Sequence, residues 1–255
     1  MVKLKVLGFS GGGEKHKGLT SFLINETILI DAGNVVASLT AEEQSKITDI
    51  LVSHSHLDHI KDIPLLCDNF VDIPHKKANV YGLKATIDAL KNNLFNNIIF
   101  PDFAVIPLKD PVVVYHEIVP NKKFHIDGIT FRAVKVNHTV PNVAYIIEKN
   151  GVSFVFISDT YTTDEIYNII NELPNVDFVI IETSFPNNLE ELARVSKHLT
   201  PNLMKKEIAK IKDNNIKIYI YHLKPKYSEQ ITDEISKLST DKNIEILREG
   251  MVIEI

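Results

Sequence analysis

The sequence predicts an α/β protein folded as a four-layer α/β/β/α sandwich, in a single domain over residues 1–255. Three observations carry that expectation. Strand and helix patterns alternate through the first third; residues 111–157 then hold four successive strand candidates; strands and helices interleave again toward the end. Two mixed sheets packed face to face, with helices outside, fit this order better than one doubly wound parallel sheet.

Alternation in Val2-Leu4-Val6 and the run Thr27-Ile28-Leu29-Ile30 predict two strands, joined through the glycine loop Ser10-Gly11-Gly12-Gly13 and the basic Lys15-His16-Lys17. Thr40 is placed to cap a short helix leading into the buried-type strand Asp49-Ile50-Leu51-Val52-Ser53. A helix is expected from Leu57 to about Asn69, a strand over 79–82 and a helix over 83–94. Strands follow over 111–118, 129–136, 143–148 and 152–157, the last two joined by Asn150-Gly151, a type I′ turn signal. Helices over 163–171, 201–213 and 228–237 alternate with strands over 177–181 and 216–221, and Met251–Ile255 closes as a strand.

Composition narrows the function. With 255 residues, 44% hydrophobic and 24% charged, the chain lies near the globular average, which argues against collagen-like, disordered and membrane-spanning readings. A net charge of -5 offers no general attraction to nucleic acid, and the lysines at 76, 77, 109, 122 and 123 are scattered rather than striped. The lone Cys67 makes no internal disulfide, and the N-terminal stretch is too short and alternating for a signal peptide, so a cytoplasmic setting is expected. A homodimer is expected only because two-fold assemblies are common.

The chemistry begins at His54-Ser55-His56-Leu57-Asp58-His59, three histidines and a carboxylate within six positions directly after an apolar strand. Residues two apart in an extended segment project to one side, so His54 and His56 can reach one metal ion while the turn into the next helix aims Asp58 and His59 elsewhere. Imidazole and carboxylate without thiolate suit zinc, iron or manganese, and few protein ligands per ion leave positions open for catalysis. His138, Asp159 and His222 each stand at the exit of a predicted strand, where packed sheets bring distant residues to one edge.

His54-x-His56-x-Asp58-His59 followed by His138, Asp159 and His222 resembles the metallo-β-lactamase-fold hydrolase superfamily over almost the whole chain. The resemblance implies a metallo-β-lactamase-type sandwich holding two divalent ions, zinc or else manganese or iron. One would be held by His54, His56 and His138, the other by Asp58, His59 and His222, with Asp159 bridging. Within the superfamily the motif is similar to that of class II cyclic-nucleotide phosphodiesterases, as are His198-Leu199-Thr200-Pro201 and His222-Leu223-Lys224-Pro225. Asp62, after Lys61, departs from it by standing near where that family has a small residue.

The expected reaction is hydrolysis of a 3′,5′-cyclic nucleotide such as cAMP or cGMP by hydroxide formed between two ions, which lower the pKa of water from 15.7 to about 7. Asp58 would serve as ligand and as acceptor for the attacking water. His198 is either a cap for the helix at Thr200-Pro201 or the substrate-side acid that protonates the leaving 3′ oxygen. Thr183 and Ser184, after the strand ending at Ile181, are expected to line the substrate pocket. Asp31 is either a turn residue or an acceptor for a ligand imidazole, and the glycine loop is either a hairpin tip or a phosphate cradle. Alternative functions are tRNA 3′-end endonuclease, thioester or lactone hydrolase, and a non-catalytic metal sensor.

Overall fold

A computed structural model describes residues 2–254 of the chain. In chain order its strands and helices begin with β1 (Lys3–Gly8), β2 (Ser21–Ile24), β3 (Ile28–Ala32), α1 (Ala41–Lys46), β4 (Asp49–Leu51), α2 (Leu57–Ile60) and α3 (Ile63–Asp68). They continue through β5 (Ala78–Gly82), α4 (Lys84–Ala89), β6 (Val113–Glu117), β7 (Lys123–Ile126), β8 (Ile129–Val136), β9 (Asn142–Lys149) and β10 (Val152–Phe156). The last third holds α5 (Glu165–Ile170), β11 (Val176–Glu182), α6 (Glu190–Ser196), α7 (Pro201–Ile208), β12 (Lys217–Tyr221), α8 (Ser228–Ser236), β13 (Ile244–Ile246) and β14 (Val252–Glu254). The strand expected at the chain's end is β14, with Ile255 outside the described residues.

Two seven-stranded sheets result, ordered β14-β1-β2-β3-β4-β5-β6 and β13-β12-β11-β10-β9-β8-β7. Strand alternation then dictates the layers. Phe154, Phe156, Phe178, Tyr219 and Tyr221, with Phe131 of the same sheet, face the other sheet and meet Phe22 there, while Val155, Ile157, Val179 and Ile220 face outward onto Ile166, Leu203, Met204 and Ile231 of the helices. A third cluster, with Leu29, Ile50, Leu66, Cys67 and Phe70, lies outside the first sheet. Three apolar interfaces separate four layers, as expected. Fully burying one such phenylalanine contributes about 1.5–3 kcal/mol.

Local chemistry sets the connections. Asp127-Gly128 and Asn150-Gly151 adopt positive φ at both positions, the requirement of two-residue hairpins, and join β7 to β8 and β9 to β10. Thr40 and Glu43 exchange reciprocal bonds at the start of α1, Glu43 N donating to Thr40 Oγ1 at 3.2 Å and Thr40 N to Glu43 Oε2 at 2.8 Å. The helix expected from Leu57 to Asn69 is two helices. Asp62 stands between them, its carboxylate accepting from Val35 N at 2.7 Å and Val36 N at 3.0 Å, and Pro64 lies in the first turn of the second. The residue that departs from the phosphodiesterase pattern thus fastens the loop after β3 under the histidine motif. The helix expected over 83–94 ends as a π-helical turn at Leu90–Leu94.

In each sheet the strands whose exits carry the site run in one direction: β1 and β3 to β6 in the first, β8 and β10 to β13 in the second. Their carboxyl ends line a single edge of the sandwich. Tyr145 OH donates to Val52 O at 2.9 Å across the sheets, just beneath that edge. Among the described residues no helix is long and apolar enough to cross a membrane.

Candidate metal centre

At the exit of β4 the chain stays extended through His56, which is the N-cap of α2, and then turns helical. That change of direction separates the motif into two groups. His54, His56, His138 and Asp159 bring one ligand atom each within 4.8 Å of one another, and so do Asp58, His59 and His222. The His54 ring centroid lies 4.7 Å from that of His56 and 4.9 Å from that of His138. Asp159 stands between the groups: its Oδ2 is 3.8 Å from His54 Nε2, 3.4 Å from His59 Nε2 and 3.2 Å from His222 Nε2. Asp58 Oδ2 is 3.4 Å from His222 Nε2.

The Nε2 atoms of His54, His59 and His222 are buried without a hydrogen-bond partner. A buried polar atom left unpaired costs about 1–3 kcal/mol, and three of them converging on one carboxylate form a donor set for cations. Imidazole nitrogens with carboxylate oxygens fit two divalent ions of the zinc, manganese or iron type.

For His54 and His138 the electrostatics agree with that fit. Burial, reinforced by neighbouring His59, pushes His54 well below the ordinary imidazole range, and burial brings His138 down to about 4 against the pull of Asp159. Both rings are therefore neutral, the form that ligates. Burial also opposes charge on His59, but the carboxylates of Asp159 and Asp31 outweigh it and raise its pKa. Asp159 and Asp58 remain ionised despite burial, because His222 and His59 stabilise the carboxylates.

Each half of the site has a buried carboxylate that holds rings from behind. Asp31 Oδ2 accepts from His59 Nδ1 at 2.7 Å and from Ser53 Oγ at 2.7 Å, and Ser53 Oγ lies 3.0 Å from His54 Nδ1. Ser53 N adds a bond to Asp31 Oδ1 at 2.8 Å. Of the two readings open for Asp31, the structure therefore supports the acceptor for a ligand imidazole. His138 Nδ1 donates to Lys197 O at 3.1 Å, with Lys197 in the left-handed region at φ 56°. Ligand imidazoles need such partners to fix tautomer and orientation.

His198 lies within the same cluster. Its ring is 5.2 Å from His138 and stacks on His222 at 5.3 Å and 17°. The α7 helix is capped by Thr200, whose hydroxyl accepts from Leu203 N, so His198 is not that cap. Its Nδ1 donates to Glu182 Oε1 at 2.7 Å, and although burial opposes it the Glu182 charge raises its pKa. Thr183 and Ser184 do not line the mouth as expected, because both are fully enclosed. Thr183 Oγ1 donates to Glu182 O at 2.8 Å, and Ser184 Oγ sits behind His222, 2.9 Å from its Nδ1.

The glycine loop is neither a free hairpin tip nor an open phosphate cradle at Gly11. Gly11 N donates to Leu223 O at 3.2 Å, and a Cβ on Gly11 would stand 2.4 Å from His222 O and 2.6 Å from His222 Nδ1. Only glycine permits this approach. Glu182, Ser53 and Lys197 escaped the sequence reading. Glu182 had a usable signal, a charged residue ending the apolar run Phe178-Val179-Ile180-Ile181, the same pattern that exposed Asp159 and His222. Lys197 reaches His138 through its main chain, which carries no sequence signal, while its Nζ donates to Asn137 Oδ1 at 2.6 Å.

Two seven-stranded sheets enclosing a histidine and aspartate cluster at their common edge define a hydrolase class whose site can hold metal ions. The beta-lactamase superfamily domain matches residues 26–222, and the chain belongs to that superfamily. A 3′,5′-cyclic-nucleotide phosphodiesterase of Aliivibrio fischeri is 25% identical over 81% of this chain and 74% of its own length. A ribonuclease Z of Borrelia hermsii is 25% identical over 97% of this chain and 95% of its own. The crystal structure of unliganded yeast PDE1 shares the fold, with a TM-score of 0.87 at 17% identity over 98% of each chain.

Proposed function

We propose that the chain is a dinuclear metal-dependent phosphodiesterase that converts 3′,5′-cyclic nucleotides to 5′-nucleotides. The observation that carries this reading is the place of His198, against one ring from each ligand group and backed by the Glu182 carboxylate. Support also comes from the phosphodiesterase relative. His54, His56 and His138 would hold one ion, Asp58, His59 and His222 the other, and Asp159 both. Bound divalent ions, zinc foremost, supply Lewis acidity and a water whose pKa falls to about 7.

The chain's own groups do the rest. Asp58, with its side chain 26% exposed, can accept a hydrogen bond from the attacking water and orient it toward phosphorus. As the bond from phosphorus to O3′ breaks, His198 donates the Nε2 proton to the leaving oxygen, and Glu182 stabilises the charged ring before transfer. The water's hydroxyl ends on phosphorus and its proton passes to solvent, so no covalent enzyme intermediate is needed. A net charge of -5 and scattered lysines favour a small nucleotide over a polynucleotide partner. The lone buried Cys67 accords with a reducing, cytoplasmic setting.

The test is cyclic 3′,5′-AMP turnover by purified protein of known metal content, with a tRNA precursor in parallel and Asp58→Ala as control. Turnover of the cyclic nucleotide that disappears in the variant is the expected result. Cleavage of the precursor alone would replace this reading with the ribonuclease activity named for the Borrelia relative.

A further inference from the structure

Glu182 closes β11 fully buried, and its two oxygens serve different rings. Oε1 takes His198 Nδ1 at 2.7 Å and Oε2 takes the hydroxyl of Ser184 at 2.8 Å. A serine hydroxyl has one proton to give. Three acceptors compete for it, Glu182 Oε2 at 2.8 Å, His222 Nδ1 at 2.9 Å in the tautomer without a proton there, and His222 O at 3.2 Å, and the closest, charged oxygen wins. With the proton so committed, Ser184 Oγ can only accept from the remaining neighbours. Its nearest is His222 Nδ1 at 2.9 Å; His198 Nδ1, at 3.2 Å, is already engaged by Glu182.

The proton order Glu182 ← Ser184 ← His222 follows. It places a proton on His222 Nδ1 and leaves the Nε2 lone pair facing Asp159 Oδ2 at 3.2 Å and Asp58 Oδ2 at 3.4 Å. The opposite tautomer would point Nε2–H at the two carboxylates and leave no donor pair for a cation. Gly11 lies against the back of the same ring, where a Cβ would stand 2.6 Å from His222 Nδ1.

We propose that Ser184 is a positioning residue for the metal centre: through it Glu182 fixes the tautomer of His222 for the ion shared with Asp58 and His59. One carboxylate thus orients a ligand of one ion and the candidate acid together. The first half of the site offers its counterpart, in which Ser53 stands between Asp31 and His54. The proposal rests on His222 being a ligand, as read above, and not on the identity of the substrate.

Zinc titration of metal-free protein tests it without any nucleotide. Calorimetry gives the two affinities, and the 15N shifts of His54 and His222 say which ion is affected. Ser184→Ala is expected to weaken zinc at Asp58, His59 and His222 by about 10–100-fold and to leave the other ion unchanged. Ser184→Cys, close in volume and a poor acceptor, should do the same and guards against a folding defect in the alanine variant. Ser53→Ala should weaken the other ion instead. Unchanged affinity in both Ser184 variants, or equal losses at both ions, would overturn the proposal. Retention of both ions by His222→Ala would overturn the ligand reading beneath it.

Discussion

The two sheets repeat one plan and divide the chemistry unequally. Each runs through three antiparallel pairings and then three parallel ones, and each carries an aspartate near the exit of its central strand: Asp31 in β3 and Asp159 just after β10. In the first sheet that aspartate turns behind the rings and holds His59 and, through Ser53, His54. In the second it faces the ligand atoms, and the bracing falls to Glu182 one strand further on. The first sheet also concentrates four candidate ligands at one strand exit, whereas the second sets His138, Asp159 and His222 at three. A scaffold of this kind can exchange the ligand and supporting roles of its strand ends without altering the frame.

The division can be broken at Glu182's own branch point. His198→Ala is expected to lower kcat by about 10²–10⁴-fold while metal content stays at the wild-type level. Loss of metal in parallel, read by elemental analysis, would erase the distinction between the ligand arm and the acid arm. The shared core comes next. Phe156 of the second sheet packs on Phe22 of the first with ring centroids 5.2 Å apart, so Phe156→Ala should remove about 3–5 kcal/mol of stability in denaturant unfolding. A shift too small to measure would mean that the sheets do not depend on one another. The smallest effect is the sharpest for the comparison. Asp31 braces one ring of each ligand group, so Asp31→Ala should weaken both ions by about 10–100-fold. A loss confined to one ion would show that Asp31 and the Glu182–Ser184 pair do the same job.

The same inequality explains what the sequence disclosed. The clustered motif at 54–59 was visible at once, because four ligand-type residues in six positions stand out against any background. His138, Asp159 and His222 were visible because each breaks an apolar strand. Glu182 breaks one in the same way, but no motif pointed to it. The strand β2 went unread since Ser21-Phe22-Leu23-Ile24 is short and buried on both faces, with no alternation to mark it. The strand β7 also went unread, although Asp127-Gly128 is a hairpin turn of the same kind as Asn150-Gly151. The helix α6 and the partners of Ser184 depend on contacts between β11, β12 and the following loops, which no local pattern encodes.

Lys197 has a consequence for how this centre would answer mutagenesis. Its contribution to His138 is a carbonyl, presented by a left-handed backbone at the end of α6, so truncating the side chain leaves that bond in place. An alanine scan would report only the loss of the Lys197 Nζ bond to Asn137 Oδ1 at 2.6 Å and would miss the carbonyl. Sensitivity there should follow backbone handedness: glycine and asparagine, which enter that region readily, would be accepted, and β-branched residues would not. A survey built on side-chain chemistry would therefore undercount the residues that shape this site.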